Sequence, residues 1–416
     1  MRRRGIRWVW LAWLLAVLAC DRCFAQEDAT PAADSQPAPS DDADAYPLAA
    51  LFGPLAHGAP GLDIYYVYTA DTFTNAHGGL NTSRATEFRG NLDLTLTVDL
   101  DRFAPLLGGE FFLYFQEGHG RGISEPHVGD YQGASNIDFR DLTQLSEYWW
   151  RRTFCDDRLW FKLGKQDATN DFSSTDAGGS FCNNGFWNPY NIPLPVYPDP
   201  GLGLAAGWNL SDDWTFEAGL YDGAPGGRLS GFSTLGDNGA FAIAEASFHP
   251  LWPDEDLPLG AYRLGAWHHS GDFDELGLPS PREVGGNYGW YAACEQTLFR
   301  ESSEAGEAQG LAAFFHYGWA LDDRNETPHA WAAGLVYTGL LPDRDEDALG
   351  IGLAQVRFSD RLRRTEDRDQ ETAWELYYRL QAAPWLVLQP DLQYIHQPNG
   401  DGRDAVAVGL RIEAEL

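Results

Sequence analysis

Long stretches of this chain switch between apolar and polar at every second residue, and that period of two excludes amphipathic helices as the main building element. In residues 89–100, Leu92, Leu94, Leu96, Val98 and Leu100 oppose Asn91, Asp93, Thr95, Thr97 and Asp99. Near the C-terminus, PWLVLQPDLQYIHQP puts Leu386, Leu388, Pro390, Leu392 and Tyr394 on one face and Val387, Gln389, Asp391, Gln393 and Ile395 on the other. The segments on either side, 374–381 and 406–416, repeat the pattern, and sixteen such segments can be traced from residue 63 onward. Two architectures build long strands with one wet face. One is an antiparallel sheet lying on a soluble core, and the other is a membrane barrel whose apolar face meets lipid.

Composition favours the barrel. Aromatic residues make up 14% of the chain, with 16 Trp against a single Met. That balance departs from an ordinary soluble core and suits aromatic girdles at two membrane interfaces. The connections alternate between very short (155–157, 211–213, 383–384) and long, as expected for tight turns at one end of a barrel and larger loops at the other.

The first residues, MRRRGIRWVWLAWLLAVLACDRCFAQ, have the basic, apolar and small-residue layout of a secretory signal cleaved after Ala25. Residues 26–46, rich in Ala, Pro and Asp, form an acidic leader too polar to bury a core. Residues 47–416 then constitute one folded unit. Cleavage leaves 24 basic against 60 acidic residues, a formal net of −36, which argues against nucleic acid as a partner. The remaining cysteines, Cys155, Cys182 and Cys294, are too few for a disulfide framework. Cys155 and Cys182 fall at opposite ends of a strand and are not expected to pair.

Short motifs add no chemistry. Residues 201–207 place their glycines wrongly for a phosphate loop and lack a βαβ context. His268 and His269 are adjacent on a strand and point to opposite faces, so they cannot share a metal. Residues 343–350, DRDEDALG, carry alternate acids but lack the bidentate Glu of a calcium loop. There is no nucleophile elbow, and nothing singles out a carboxylate pair for glycoside hydrolysis. The reading is therefore not an enzyme, with no cofactor and no metal.

Several long segments, in order, resemble the carbohydrate-selective porins of Gram-negative outer membranes, the OprB-like family. They are GNLDLTLTVDLDRF (90–103), GDYQGASNID (129–138), RLWFKLGKQDATNDF (158–172), YDGAP (221–225), YRLGAWHHSG (262–271) and LVLQPDLQYIHQP (386–398). One departure is the terminal Leu416, where such barrels usually end in Phe. The resemblance implies a 16-stranded transmembrane antiparallel β-barrel in the outer membrane. It also implies passive diffusion of small sugars into the periplasm, contact with lipid and lipopolysaccharide, and a monomer or homotrimer. The alternatives are a secreted all-β carbohydrate-binding or hydrolytic protein and a general or cation-preferring pore.

The glycine- and proline-rich stretch 165–200 is too long for a hairpin and is expected to fold into the lumen. A sugar pore needs polar groups for hydroxyls and aromatic rings for the apolar faces of pyranoses. Strand parity nominates Arg89, Asp93, Lys162, Arg263, Trp267, Glu375 and Arg379 as lumen-facing, and the long loop adds Trp187 and Tyr190. A closed barrel has no edge strand on which to hide a proline, so a bulge or local break is expected at Pro390.

Overall fold

The computed structural model describes residues 60–226, 230–250, 259–280, 282–301 and 309–415. The expected signal and leader segments lie outside the described residues. Sixteen antiparallel strands close into one barrel. In chain order they are β1 (Leu62–Gly78), β2 (Thr86–Asp99), β3 (Glu110–Gly120), β4 (Leu142–Phe154) and β5 (Leu159–Gln166). Next come β6 (Gly201–Asn209), β7 (Trp214–Asp222), β8 (Ala240–Phe248), β9 (Gly260–Asp274) and β10 (Glu283–Arg300). The circuit ends with β11 (Gly310–Ala320), β12 (His329–Thr338), β13 (Ala348–Arg357), β14 (Gln370–Ala383), β15 (Leu386–His396) and β16 (Ala405–Glu415). Each strand pairs with its chain neighbours, and β16 returns to β1 with Val67 opposite Glu415 and Gly78 opposite Ala405. Closure therefore satisfies the backbone of both terminal strands, as an element exposed to lipid requires.

Each segment read from the alternation corresponds to one strand, and the alternation sets which side chains face out. Trp374, Leu376, Leu392, Tyr394, Leu410 and Ile412 are exposed on the outer wall. Glu375, Gln389, Asp391, Gln393 and Arg411 are buried on the inner one. Trp208, Trp214, Phe216 and Tyr262 stand exposed on the outer wall at the short-turn end, as one aromatic girdle would. Among the described residues no helix is long and apolar enough to cross a membrane, so any crossing falls to the strands.

Pro390 breaks the ladder without bulging it. The register between β15 and β16 runs uninterrupted through the pair Pro390–Leu410. On the β14 side, Tyr377 pairs with Asp391 and Leu380 with Leu388, and only the two pairs between them drop out. Those are the two pairs that need a donor at position 390, so the missing N–H is aimed at the carbonyl of Tyr378. A genuine bulge sits in β4 instead, where Tyr114 pairs with Glu147 but Phe115 with Leu145, leaving Ser146 as the extra residue.

The two longest connections, 121–141 and 167–200, leave from the same end of the barrel. Both turn inward. The second contains a 3-10 turn (Ala168–Asn170) and a four-residue helix (Asp176–Gly179). Cys182 and Cys294 are free, so Cys155 and Cys182 do not pair.

Candidate functional site

The inner wall carries carboxyl groups at places where the infolded loops present unpaired backbone N–H groups. Glu375 accepts from the amides of Cys182 and Asn183 at 2.6 and 2.8 Å. Glu245 accepts from Ser173 at 2.9 Å, Glu295 from Ala177 at 2.9 Å, and Glu147 from Asp167 at 2.9 Å. Glu371 holds the other loop, taking the amides of Tyr131 and Gln132 at 2.6 and 2.8 Å. These are side-chain to backbone hydrogen bonds of good length. They satisfy loop backbone that would otherwise be orphaned inside the barrel.

Apolar packing completes the seal. Phe181 and Phe186 stack at 4.3 Å and lie among Phe314, Ala332, Ala354 and Tyr377 of the wall. A side chain at Gly352 would put its Cβ 2.6 Å from Phe186 and 2.8 Å from Phe181, so only glycine lets these rings reach the strand. On the opposite side Ile192 and Leu194 pack with Trp160, Tyr221, Phe241 and Trp267. The loop therefore spans the lumen from wall to wall.

Towards the short-turn end, the barrel keeps a cavity of about 950 Å³. Its lining includes Arg151, Arg263, Glu217 and Asp171, with Trp160 and Phe172 supplying aromatic surface. Lys162 Nζ donates to Asp171 at 2.6 Å, and Arg263 reaches Glu295 at 3.2 Å and Glu245 at 3.7 Å. The Arg151 guanidinium lies 4.9 Å from the centre of the Trp160 ring. Just past β8, burial lowers the pKa of His249, and the nearby Arg263 charge adds to the shift, so its imidazole favours the neutral form. The arrangement offers donors, acceptors and ring faces within one open cavity.

The residues nominated from parity do face inward, but the structure puts most of them to internal use. Arg89 gives its guanidinium to the carbonyls of Ile137, Gly120 and Arg140 and to Asp141. Asp93 accepts from Asn91, Tyr114 and Gln116. Lys162 is tied to Asp171, Glu375 to the loop, and Trp267 is buried in the apolar cluster. Arg379 pairs with Glu413 at 2.6 Å. Tyr190 donates to the Tyr131 carbonyl at 2.9 Å, and Trp187 is half-buried with its carbonyl bound by Thr175. Of the nine, Arg263 lines the cavity.

Glu217, Asp171, Phe172 and Arg151 also line it and were not nominated. Parity would have found Glu217, which alternates with the outward Phe216 and Ala218. Arg151 is displaced by the Ser146 bulge, and the two loop residues carry no periodic signal.

Two of the remaining motifs have defined surroundings. His268 is exposed and His269 buried, its Nε2 2.7 Å from the Gly223 carbonyl. In the acidic loop, both Asp347 oxygens are taken by Arg344, Tyr378 and the Gln381 amide.

A family model described as carbohydrate-selective porin, OprB family, matches residues 84–416. Porin B of Pseudomonas aeruginosa is 24% identical over 403 residues, spanning 85% of this chain and 87% of that protein. Among solved structures, Pseudomonas putida OprB at high pH superposes with a TM-score of 0.77 at 23% identity. That match covers 86% of this chain and 94% of the other. The low-pH structure of the same protein gives 0.56 at 19% identity, with 86% and 93% covered.

Proposed function

Since the chain belongs to the OprB family of carbohydrate-selective porins, and is thus an outer-membrane channel for passive, carbohydrate-selective diffusion, we propose that selection takes place in the cavity beneath the infolded loop. The observation that carries this reading is the loop itself. Bound to both walls, it forces a solute past Arg263, Glu217 and the Asp171 carboxyl that buried Lys162 holds, beside the rings of Trp160 and Phe172. Paired charges exchange hydrogen bonds with hydroxyls at little net gain, because each replaces a bond to water. Binding is therefore weak enough for release, as conduction requires. A free ion meets a different situation, since it must shed hydration among charges already satisfied by each other. In this reading the long-loop end faces outward, the mature chain begins after Ala25, and its outer wall meets lipid and lipopolysaccharide.

A second feature concerns ions. Eight carboxylate residues line the cavity against three arginines, so the small current it carries should prefer cations.

Liposome swelling tests the main reading. Purified protein should admit glucose faster than an uncharged amino acid of similar size, and a disaccharide more slowly than glucose. Equal rates for sugar and amino acid would reduce the protein to a general diffusion pore. A reversal potential measured across a salt gradient reads the ion preference separately.

A further inference from the structure

Where the 167–200 loop meets β14 and β15, a thiol and two carboxyl groups converge. The Cys182 Sγ and one carboxylate oxygen each from Glu375 and Asp391 lie within 4.8 Å of one another, and all three residues are buried. The place has acceptors and too few donors. Both Glu375 oxygens accept loop amides, and Asp391 Oδ1 accepts from Gln393 Nε2 at 3.0 Å. Asp391 Oδ2 is buried and receives no N–H or hydroxyl donor, its carboxyl facing that of Glu375 instead. Gln389, 0% exposed, sets its Nε2 3.5 Å from Cys182 Sγ and 3.0 Å from the Ser180 carbonyl, and its Oε1 has no partner.

The surrounding charge is unbalanced in the same sense. Arg411 is the guanidinium at this spot, and it is already committed to Asp71 at 2.8 and 2.7 Å and to Asn136 at 2.7 Å. Three carboxyl groups thus face one cation in a space closed to water. Buried acceptors and acids in such excess are costly without a counter-charge.

We propose that this cluster is a binding site for a thiophilic divalent cation of the Zn²⁺ class, held by Cys182 Sγ, Glu375, Asp391 and the free Gln389 Oε1. Zinc takes four sulfur, nitrogen or oxygen donors, whereas Ca²⁺ and Mg²⁺ prefer oxygen alone. Binding releases the thiol proton to solvent, and the sulfur bonds the metal as thiolate. Cys182 belongs to the loop, and the other donors belong to the wall. The ion is therefore a staple fixing the loop across the lumen, whatever solute the pore passes. Sequence spacing gives no hint of it, since Cys182 and Glu375 are 193 residues apart.

The test uses folded, detergent-purified full-length mature protein titrated with Cd²⁺, whose bond to a thiolate gives a charge-transfer absorption, together with elemental analysis for zinc. We expect one equivalent bound. The band should persist in Cys294→Ser, vanish in Cys182→Ser, and need at least tenfold more Cd²⁺ in Asp391→Asn, which keeps both the thiol and the side-chain size. Heat-modifiable electrophoretic mobility confirms that each variant is folded, and Asp391→Asn decides the matter if Cys182→Ser is not. A band that survives Cys182→Ser, or folded wild-type protein that takes up neither metal, overturns the proposal and leaves the two carboxyl groups sharing a proton.

Discussion

Two parts of the inner wall carry the same alternation and do opposite things with it. On β14 and β15 the inward polar groups Glu371, Glu375 and Gln393 are bound by loop backbone and side chains, and that side of the lumen is filled with protein. On β7 to β9, near the short-turn end, Glu217 and Arg263 border open space. An inward polar face is thus compatible with a lumen of water or a lumen of folded chain. What separates them is whether a long loop arrives with unpaired amides at the height of the carboxylates. The β14–β15 wall is a structural surface, and the wall beneath the loop is a selective one.

The largest expected effect comes from cutting the structural wall. Glu375→Ala removes two hydrogen bonds and leaves two loop amides unpaired inside the barrel, each costing about 1–3 kcal/mol. Stability, read from the temperature at which heat-modified mobility appears, should fall by about 3 kcal/mol. The released loop should raise single-channel conductance and erase the preference for sugar over amino acid. Unchanged conductance would show that the apolar packing of Phe181 and Phe186 holds the loop unaided.

The next effect is pH-dependent and belongs to the other infolded loop. Burial, reinforced by the neighbouring Glu371, pushes the Asp130 carboxyl up to about 7. A carboxyl raised in the folded state favours folding while protonated. Its penalty is absent below the unfolded value of about 3.9, and it grows as pH rises through the folded value. Asp130→Asn should therefore stabilise the barrel at pH 8 by more than about 1 kcal/mol and leave it unchanged at pH 4. Equal stabilisation at both pH values would show that the effect is not titration.

Strand number, closure and facing were legible because parity is a local property that each strand repeats independently. The Pro390 break was legible too, since a missing donor in a closed sheet must show somewhere. Site membership was not. Arg89 and Asp93 have the parity of pore residues, but their partners, the carbonyls of Ile137 and Arg140 and the side chains of Tyr114 and Gln116, come from other segments. The path of a loop across the lumen is a tertiary fact with no period to reveal it. Asp171 and Phe172 entered the cavity by that path.

On the selective wall the effects should be smaller and should leave folding alone. At pH 9, Glu217→Gln removes one negative charge from the cavity without removing a hydrogen-bonding side chain. The cation-to-anion permeability ratio, from reversal potentials, should fall by roughly twofold or less and converge with wild type at high salt. A destabilised barrel would move Glu217 to the structural class.

The smallest effect is expected at Arg379, and it sets the floor of the comparison. Its pair with Glu413 is short, at 2.6 Å, yet the two side chains remain 30% and 24% exposed. Water therefore screens the pair and can hydrate either partner once the other is gone. Exposed pairs of this kind contribute about 0–1 kcal/mol. Arg379→Gln should change stability by no more than about 0.5 kcal/mol, and liposome swelling rates should match wild type, because no loop amide depends on this side chain. A large loss of stability would mean that ion pairs alone, without an infolded loop, can make a lumen wall structural, and the division between the two surfaces would have to be drawn by burial instead of by contact with the loops.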